Sequence, residues 1–265
     1  MEAATVPEPQ EDNVELLRKS LQVTIPEELI TYTNVLVYGD PGAGKTYFCG
    51  TAADLEDTSP VLILDVEGGV TTLRKRSNVD VVPIRSMGDI ESVYNKLYKS
   101  IENNQIYYST ICIDSLTELA DLDIRTIMKE AYNRNPSNID IDVPSPREWG
   151  KTRNHIRVIV RAFRDLPCHV IYTASASSIS EEGFPTKYFP GFSGKLRLEV
   201  PGFVDIVGYL TARTERVTGE TVVKREMQVL GTNRVVAKDR TNSLGEDGII
   251  HEPRFPEMWK TIRES

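Results

Sequence analysis

From residue 31 onward the chain alternates short apolar runs with longer stretches whose apolar residues recur at helical spacing. The runs at 34–39 (NVLVYG), 60–66 (PVLILDV), 79–84 (VDVVPI), 108–114 (YSTICID) and 168–174 (CHVIYTA) read as strands. Their near-continuous apolar character suits strands buried on both faces, as in a parallel sheet covered by helices. Between them lie helical patterns at 44–55 (GKTYFCGTAADL), 87–103 (MGDIESVYNKLYKSIEN), 115 to about 132, and about 147 to 163. The end of the chain differs. Segments 203–215 (FVDIVGYLTARTE), 220–230 (ETVVKREMQVL) and 233–238 (NRVVAK) follow one another through short turns and read as antiparallel strands extending the sheet.

The beginning stands apart from this order. Residues 1–13 (MEAATVPEPQEDN) read as a solvated acidic tail, and 14–23 (VELLRKSLQV) shows helical spacing before Pro26. The division expected is therefore a tail and short helix over 1–30 and one α/β domain over 31–265. A chain of 265 residues suffices for one large core with appendages. No run reaches the roughly 18 apolar residues of a membrane span and the start does not resemble a secretory signal, so a cytoplasmic protein is expected. Cys49, Cys112 and Cys168 are odd in number and widely spaced, which predicts reduced core residues rather than disulfides or a zinc site.

The net charge of −8 opposes a surface coated for duplex DNA, because affinity for phosphates comes mainly from clustered Lys and Arg. Contact with nucleic acid would have to come from local features, such as the spaced arginines Arg153, Arg157, Arg161 and Arg164.

One segment carries unmistakable chemistry. Gly39-Asp40-Pro41-Gly42-Ala43-Gly44-Lys45-Thr46 fits GxxxxGK[ST], follows a strand and opens a helical stretch that begins with Tyr47. Glycines let backbone N–H groups converge on an anion, and a helix N-terminus favours negative charge. Lys45 is expected to reach the β- and γ-phosphates, and Thr46 to supply a hydroxyl to Mg²⁺. ATP is favoured over GTP, since Asn95-Lys96-Leu97-Tyr98 lacks the aspartate of a guanine-reading NKxD.

Asp114 ends an apolar strand and is the natural second magnesium-side oxygen. Ser115 and Leu116 follow it, so a catalytic glutamate must come from elsewhere. Glu67, after the strand LILDV and before Gly68-Gly69, stands where ligands bind in open α/β sheets and can act as general base toward the attacking water.

With GDPGAGKT, LILDVEGG and TICIDS in that order, the chain resembles the RecA and DnaB class of ATPases, in which the glutamate follows the second strand and the aspartate precedes Ser. More narrowly, it resembles bacteriophage RecA-like, core-only ATPases of the nucleotide-binding and single-strand-annealing type. The quoted elements, with HVIYTAS, GKLRLEVPGFVDIVGYL and VVAKDRT, span roughly residues 33 to 242. The resemblance implies a RecA-like core over 31–265, ATP hydrolysis and phage recombination or replication. It also implies homo-oligomers, with single-stranded DNA and a single-strand-binding protein as partners. Lys238-Asp239-Arg240 is similar to the KxR element of DnaB-like and RadA-like proteins, whose cations reach the γ-phosphate of a neighbouring subunit. The strand His169 to Thr173 stands as the sensor strand, with Thr173, Ala174 and Ser175 where RecA has a glutamine.

In RecA-like proteins the loop after the sensor strand holds single-stranded DNA. Here residues 175 to about 195 are expected as a long loop containing Phe184, Lys187, Tyr188, Phe189, Phe192 and Lys195, aromatics interleaved with cations. A second loop is expected at 133–147, too acidic to make a groove alone. Two competing functions predict different behaviour. An ATP-gated interaction switch would turn over slowly and ignore DNA, and a packaging or remodelling motor would respond to duplex DNA or protein.

Overall fold

A computed structural model of the chain describes Leu16, Arg18, Ser20, Leu21, residues 32–217 and residues 220–265. Two compact units are present, Met1–Thr31 and Tyr32–Ser265. In the first, Leu16, Arg18 and Ser20 are helical and exposed; the remainder of the expected tail and helix lies outside the described residues.

The second unit is built on β1 (Asn34–Gly39), β2 (Val61–Asp65), β4 (Thr110–Asp114) and the first six residues of β5 (His169–Ile179), all buried. With β3 (Val79–Pro83) they form a parallel sheet in the order β1-β5-β4-β2-β3. Beyond β1, the sheet continues through β7 (Ile206–Val217), which is parallel to β1. It ends with the antiparallel β8 (Glu220–Gln228) and β10 (Ile249–His251). This is the expected α/β architecture, a mostly parallel sheet flanked by helices with antiparallel strands extending it.

Strand alternation sends successive side chains to opposite faces, so each central strand feeds two cores. Leu36, Tyr38, Ile113 and Tyr172 join one core, under α2 (Met87–Glu102), α3 (Leu116–Arg134), α4 (Pro146–Arg164) and α5 (Leu196–Phe203). Val35, Val37, Ile63, Cys112 and Ile171 join the other, under α1 (Lys45–Thr51) and α6 (Phe255–Glu264). The helix starts follow local rules. Ser86 and Asp89 form a capping box on α2, and Ser145 with Glu148 forms another on α4, whose first residue is Pro146. All three cysteines are buried and unpaired in disulfides. Among the described residues no helix is long and apolar enough to cross a membrane.

Three segments depart from the sequence expectation. The run 79–84, expected to be buried on both faces, forms the edge strand β3 with Val81 39% exposed, and Asp80 and Pro83 suit an edge. Segment 233–238, expected as a strand, contributes only the start of β9 (Lys238–Asp239). The outer side of β7 is occupied by β8 from Tyr209 onward, leaving Ile206 and Val207 alone to pair with β9. Residues 175–195 are not one long loop: β5 continues to Ile179 and pairs antiparallel with β6 (Lys187–Pro190). Three of the four spaced arginines of α4 are engaged, and the buried Nε of the fourth, Arg153, has no hydrogen-bond partner. Arg157 lies 3.7 Å from Glu199, Arg161 covers the Phe203 ring and Arg164 pairs with Asp165, so this row secures α5 and the end of α4.

Candidate active site

The parallel register brings the carboxyl ends of β1, β5, β4 and β2 to one edge, with Gly39 opposite Ser175 and Asp65 opposite Asp114. Everything expected of the phosphate loop lies on this edge. Between β1 and α1, residues 40–44 turn tightly, the Ala43 N–H donating to Asp40 O at 3.1 Å. Gly39 must lack a side chain because a Cβ there would stand 2.3 Å from the Leu210 carbonyl on β7. Gly44 has φ +105°, in the left-handed range that glycine tolerates. Lys45 is buried, and its Nζ donates to the carbonyls of Gly39 at 3.0 Å and Asp40 at 3.2 Å. Asp40, Pro41 and Gly42 are exposed at the mouth of the loop, and Tyr47 is half-buried on α1.

Asp114 is fully buried at the end of β4 and is the point where the site converges. The Thr46 hydroxyl donates to its Oδ2 at 2.6 Å, and the Thr173 hydroxyl from β5 donates to its Oδ1 at 2.5 Å. Burial raises its pKa above the ordinary carboxylate value, the two hydroxyls pull it down, and the charges of Glu67 and Asp65 push it up again. The Asp114–Ser115 peptide is cis. Glu67 is exposed, and its turn is tied to β4 by Val66 N–H and Glu67 N–H donating to the Asp114 carbonyl at 2.7 and 3.3 Å. Asp65 shapes that turn by accepting the Gly68 N–H at 2.8 Å.

Lys45, Thr46, Glu67 and Asp114 are thus brought together, and Lys238 and Arg240 are not. Lys238 pairs with Val207 near the amino end of β7, level with the amino end of β1. From Val35 to Gly39 the sheet rises roughly 13 Å, so neither cation serves the phosphate loop of its own chain. Lys238 donates to the carbonyls of Pro201 at 2.6 Å and Val204 at 2.5 Å, and burial, helped by Arg240, lowers its pKa to about 8. Arg240 is exposed and holds Asp205 at 3.1 Å and the Gly202 carbonyl at 3.0 Å.

Two participants were missed in the sequence reading, and Thr173, expected at the end of the sensor strand, is found bonded to Asp114. Asp65 was legible as the residue before the Glu67 turn. Arg225 on β8 carried no signal at all, yet its Nε stands 2.6 Å from where a Cβ on Gly44 would be.

The donors fit a magnesium ion brought in by a nucleotide. Thr46 and Asp114 supply hard oxygens side by side. Among the described residues no group of three or more His, Cys, Asp or Glu could hold a metal ion.

Comparison with known proteins completes the picture. Among solved structures, the chain is similar to that of the RadB recombinase (15% identity, TM-score 0.40, covering 74% of this chain and 79% of that one). It is also similar to a prototypical ATPase from the type III secretion system of pathogenic bacteria (15% identity, TM-score 0.40, covering 68% and 51%). A search among curated proteins finds no match. The family model described as an AAA domain matches residues 31–241, well over half of the sequence, and the chain therefore belongs to that family, as a phosphate-loop ATPase.

Proposed function

We propose that this ATPase hydrolyses ATP with Lys45, Thr46, Asp114 and Glu67, is completed by Lys238 and Arg240 of a second copy, and acts on single-stranded DNA in phage recombination or replication. The observation that carries the hydrolytic part is the convergence on Asp114. Its side chain accepts the Thr46 hydroxyl, and its carbonyl holds the turn that presents Glu67. In this reading Lys45 serves the β- and γ-phosphates, and Thr46 and Asp114 would hold magnesium, which supplies charge neutralisation at the phosphate oxygens. Glu67, exposed at the same edge, takes the proton of the attacking water as general base.

Support for the DNA part comes from the β5–β6 hairpin, which projects beyond the phosphate-loop edge. A groove of about 380 Å³ there is lined by Phe184, Lys187, Phe189, Arg197 and Leu198. Phe184 is 72% exposed and Leu198 65%, while Phe189 is buried beneath the Arg197 guanidinium. Exposed rings beside cations suit stacked bases and paired phosphates. Tyr188, Phe189 and Phe192 are packed inward, which leaves Phe184, Lys187 and the exposed Lys195 of the expected contact set, and the groove adds Arg197.

The test is steady-state ATP hydrolysis with no DNA, with single strands and with duplex, using Lys45→Ala as the blank. Stimulation chiefly by single strands supports the proposal, and Arg240→Ala mixed into wild-type oligomers should then lower turnover in trans. Lys45-dependent turnover indifferent to DNA would leave the interaction switch, and stimulation by duplex the motor.

A further inference from the structure

On the side of the phosphate loop away from Asp114 lies an arginine that the hydrolytic residues do not use. Arg225 leans on Gly44, with Nε 2.6 Å and Cδ 3.1 Å from the place a Cβ would occupy. Its guanidinium carbon lies 5.2 Å from the centroid of the Tyr47 ring, in the residue after Thr46. The Nε is buried and has no hydrogen-bond acceptor. Cations nearby are paired: Arg213 with Glu226, Lys224 with Glu215 at 2.7 Å, and Arg76, which also lies over Tyr47, with Asp54. The Arg225 guanidinium pairs with no carboxylate among the described residues; the neighbouring Glu252 carboxylate accepts the Arg225 backbone N–H at 2.8 Å instead. A half-buried cation left without a partner is costly, and it points to a missing anion.

The sheet order says which anion. Asp114 and Glu67 lie on the β4 and β2 side of β1, and β8 lies two strands away on the other side. A triphosphate with its reacting end at Glu67 runs across the loop toward β8, so its adenosine end approaches Arg225. Lys45 and Thr46 serve the β- and γ-phosphates, leaving the α-phosphate as the next negative group in line. The guanidinium already stacks one face on Tyr47. What remains are in-plane N–H donors, which match phosphate oxygens in a forked geometry better than they match a stacked base.

We propose that Arg225 is a nucleotide-binding residue whose guanidinium edge grips the α-phosphate of ATP. The proposal rests on the ATPase reading of the same loop. It adds a second reason for glycine at position 44, since any side chain there would displace the arginine.

The experiment displaces a fluorescent ADP analogue from the full chain with ATP and with inorganic tripolyphosphate, which offers the same three phosphorus positions without adenosine. Lys45→Ala and the unaltered chain are the references. Arg225→Gln keeps the stem on Tyr47 without the charge, and should weaken both ligands alike by about 10- to 100-fold, the worth of a charge-assisted hydrogen bond. Arg225→Lys should lose less. Melting curves confirm that each variant is folded, and Arg225→Ala is a second neutral variant should Gln destabilise the chain. Unchanged affinity in Arg225→Gln overturns the proposal while leaving the Lys45-dependent site intact. Loss confined to ATP also overturns it, by assigning Arg225 to the base. An unaltered chain that binds no nucleotide overturns the ATPase reading, and this inference with it.

Discussion

The two ends of the central sheet each bury an ionisable side chain, and they do so in opposite ways. At the carboxyl end, Asp114 is surrounded by the hydroxyls of Thr46 and Thr173 and by the charges of Glu67 and Asp65. At the amino end, His169 is enclosed by the rings of Tyr32, Phe255 and Trp259, with centroids 5.6, 5.4 and 4.5 Å away. The Thr33 N–H donates to its Nδ1 at 3.0 Å, which fixes that nitrogen as an acceptor. Burial disfavours the charged form of both, raising the pKa of Asp114 and lowering that of His169 to about 4. The difference lies in what can relieve them. The rotatable hydroxyls of Thr46 and Thr173 can turn away to leave the Asp114 oxygens to a cation, whereas the rings around His169 keep it neutral down to about pH 4. One end stores a charge for use, and the other uses a polar ring as core.

The largest expected effect breaks the carboxyl end. Asp114→Asn should lower ATP turnover about 100-fold or more, since metal-side charge stabilisation is worth several kcal/mol. The same variant should melt at a higher temperature than the unaltered chain when nucleotide and Mg²⁺ are absent. The sign follows from the raised pKa: above the ordinary carboxylate range the folded chain holds the anion less willingly than the unfolded chain, so ionised Asp114 costs stability at neutral pH. Thermal melts with and without Mg-ATP read this directly. A nucleotide-free Asp114→Asn that melts lower would mean that the two hydroxyls already compensate the burial.

A smaller effect sharpens the amino end. Between pH 6.5 and about 4 the unfolded chain binds a proton that folded His169 refuses, so stability should fall as pH drops through that window, by roughly 2–3 kcal/mol in all. His169→Asn keeps an acceptor for the Thr33 N–H and cannot titrate. It should be less stable at pH 7, through lost ring contacts, yet show no such slope. Urea midpoints measured from pH 7 to 4.5 provide the check; a slope that persists in the variant would assign it to another group.

The same contrast explains what the sequence made legible. Central strands were readable because burial on both faces demands continuous apolar runs, as in Val61–Asp65 and Thr110–Asp114. The phosphate loop, Asp114 and Glu67 were readable because local backbone requirements place them directly after those runs. Features that depend on which strands become neighbours were not. Arg225 looks like any cation in the alternating stretch KREMQ until β8 docks against β7 and β7 against β1. The β5–β6 hairpin read as a loop, because its ASSI segment (176–179) pairs with KYFP only across a turn. Likewise α6 was unread, although Phe255, Met258 and Ile262 at helical spacing after Pro-bearing residues offered a signal.

The smallest effect on the fold comes from Phe184→Ala, and it tests whether the carboxyl end is built for binding. A ring 72% exposed contributes little packing, so stability should stay within about 0.5 kcal/mol of the unaltered chain. If Phe184 stacks a base, the same change should weaken single-stranded DNA binding by about 5- to 150-fold, the range set by ~1–3 kcal/mol per stacked base. Fluorescence anisotropy with a labelled oligonucleotide in the presence of Mg-ATP measures this, and an equilibrium melt on the same sample measures stability. Loss of both together would make Phe184 a structural prop of the hairpin. Loss of neither would remove the groove from the DNA path and leave Lys187 and Arg197 as surface charge. Separation of the two, with binding lost and stability kept, is the outcome expected of a ring exposed for contact rather than for packing.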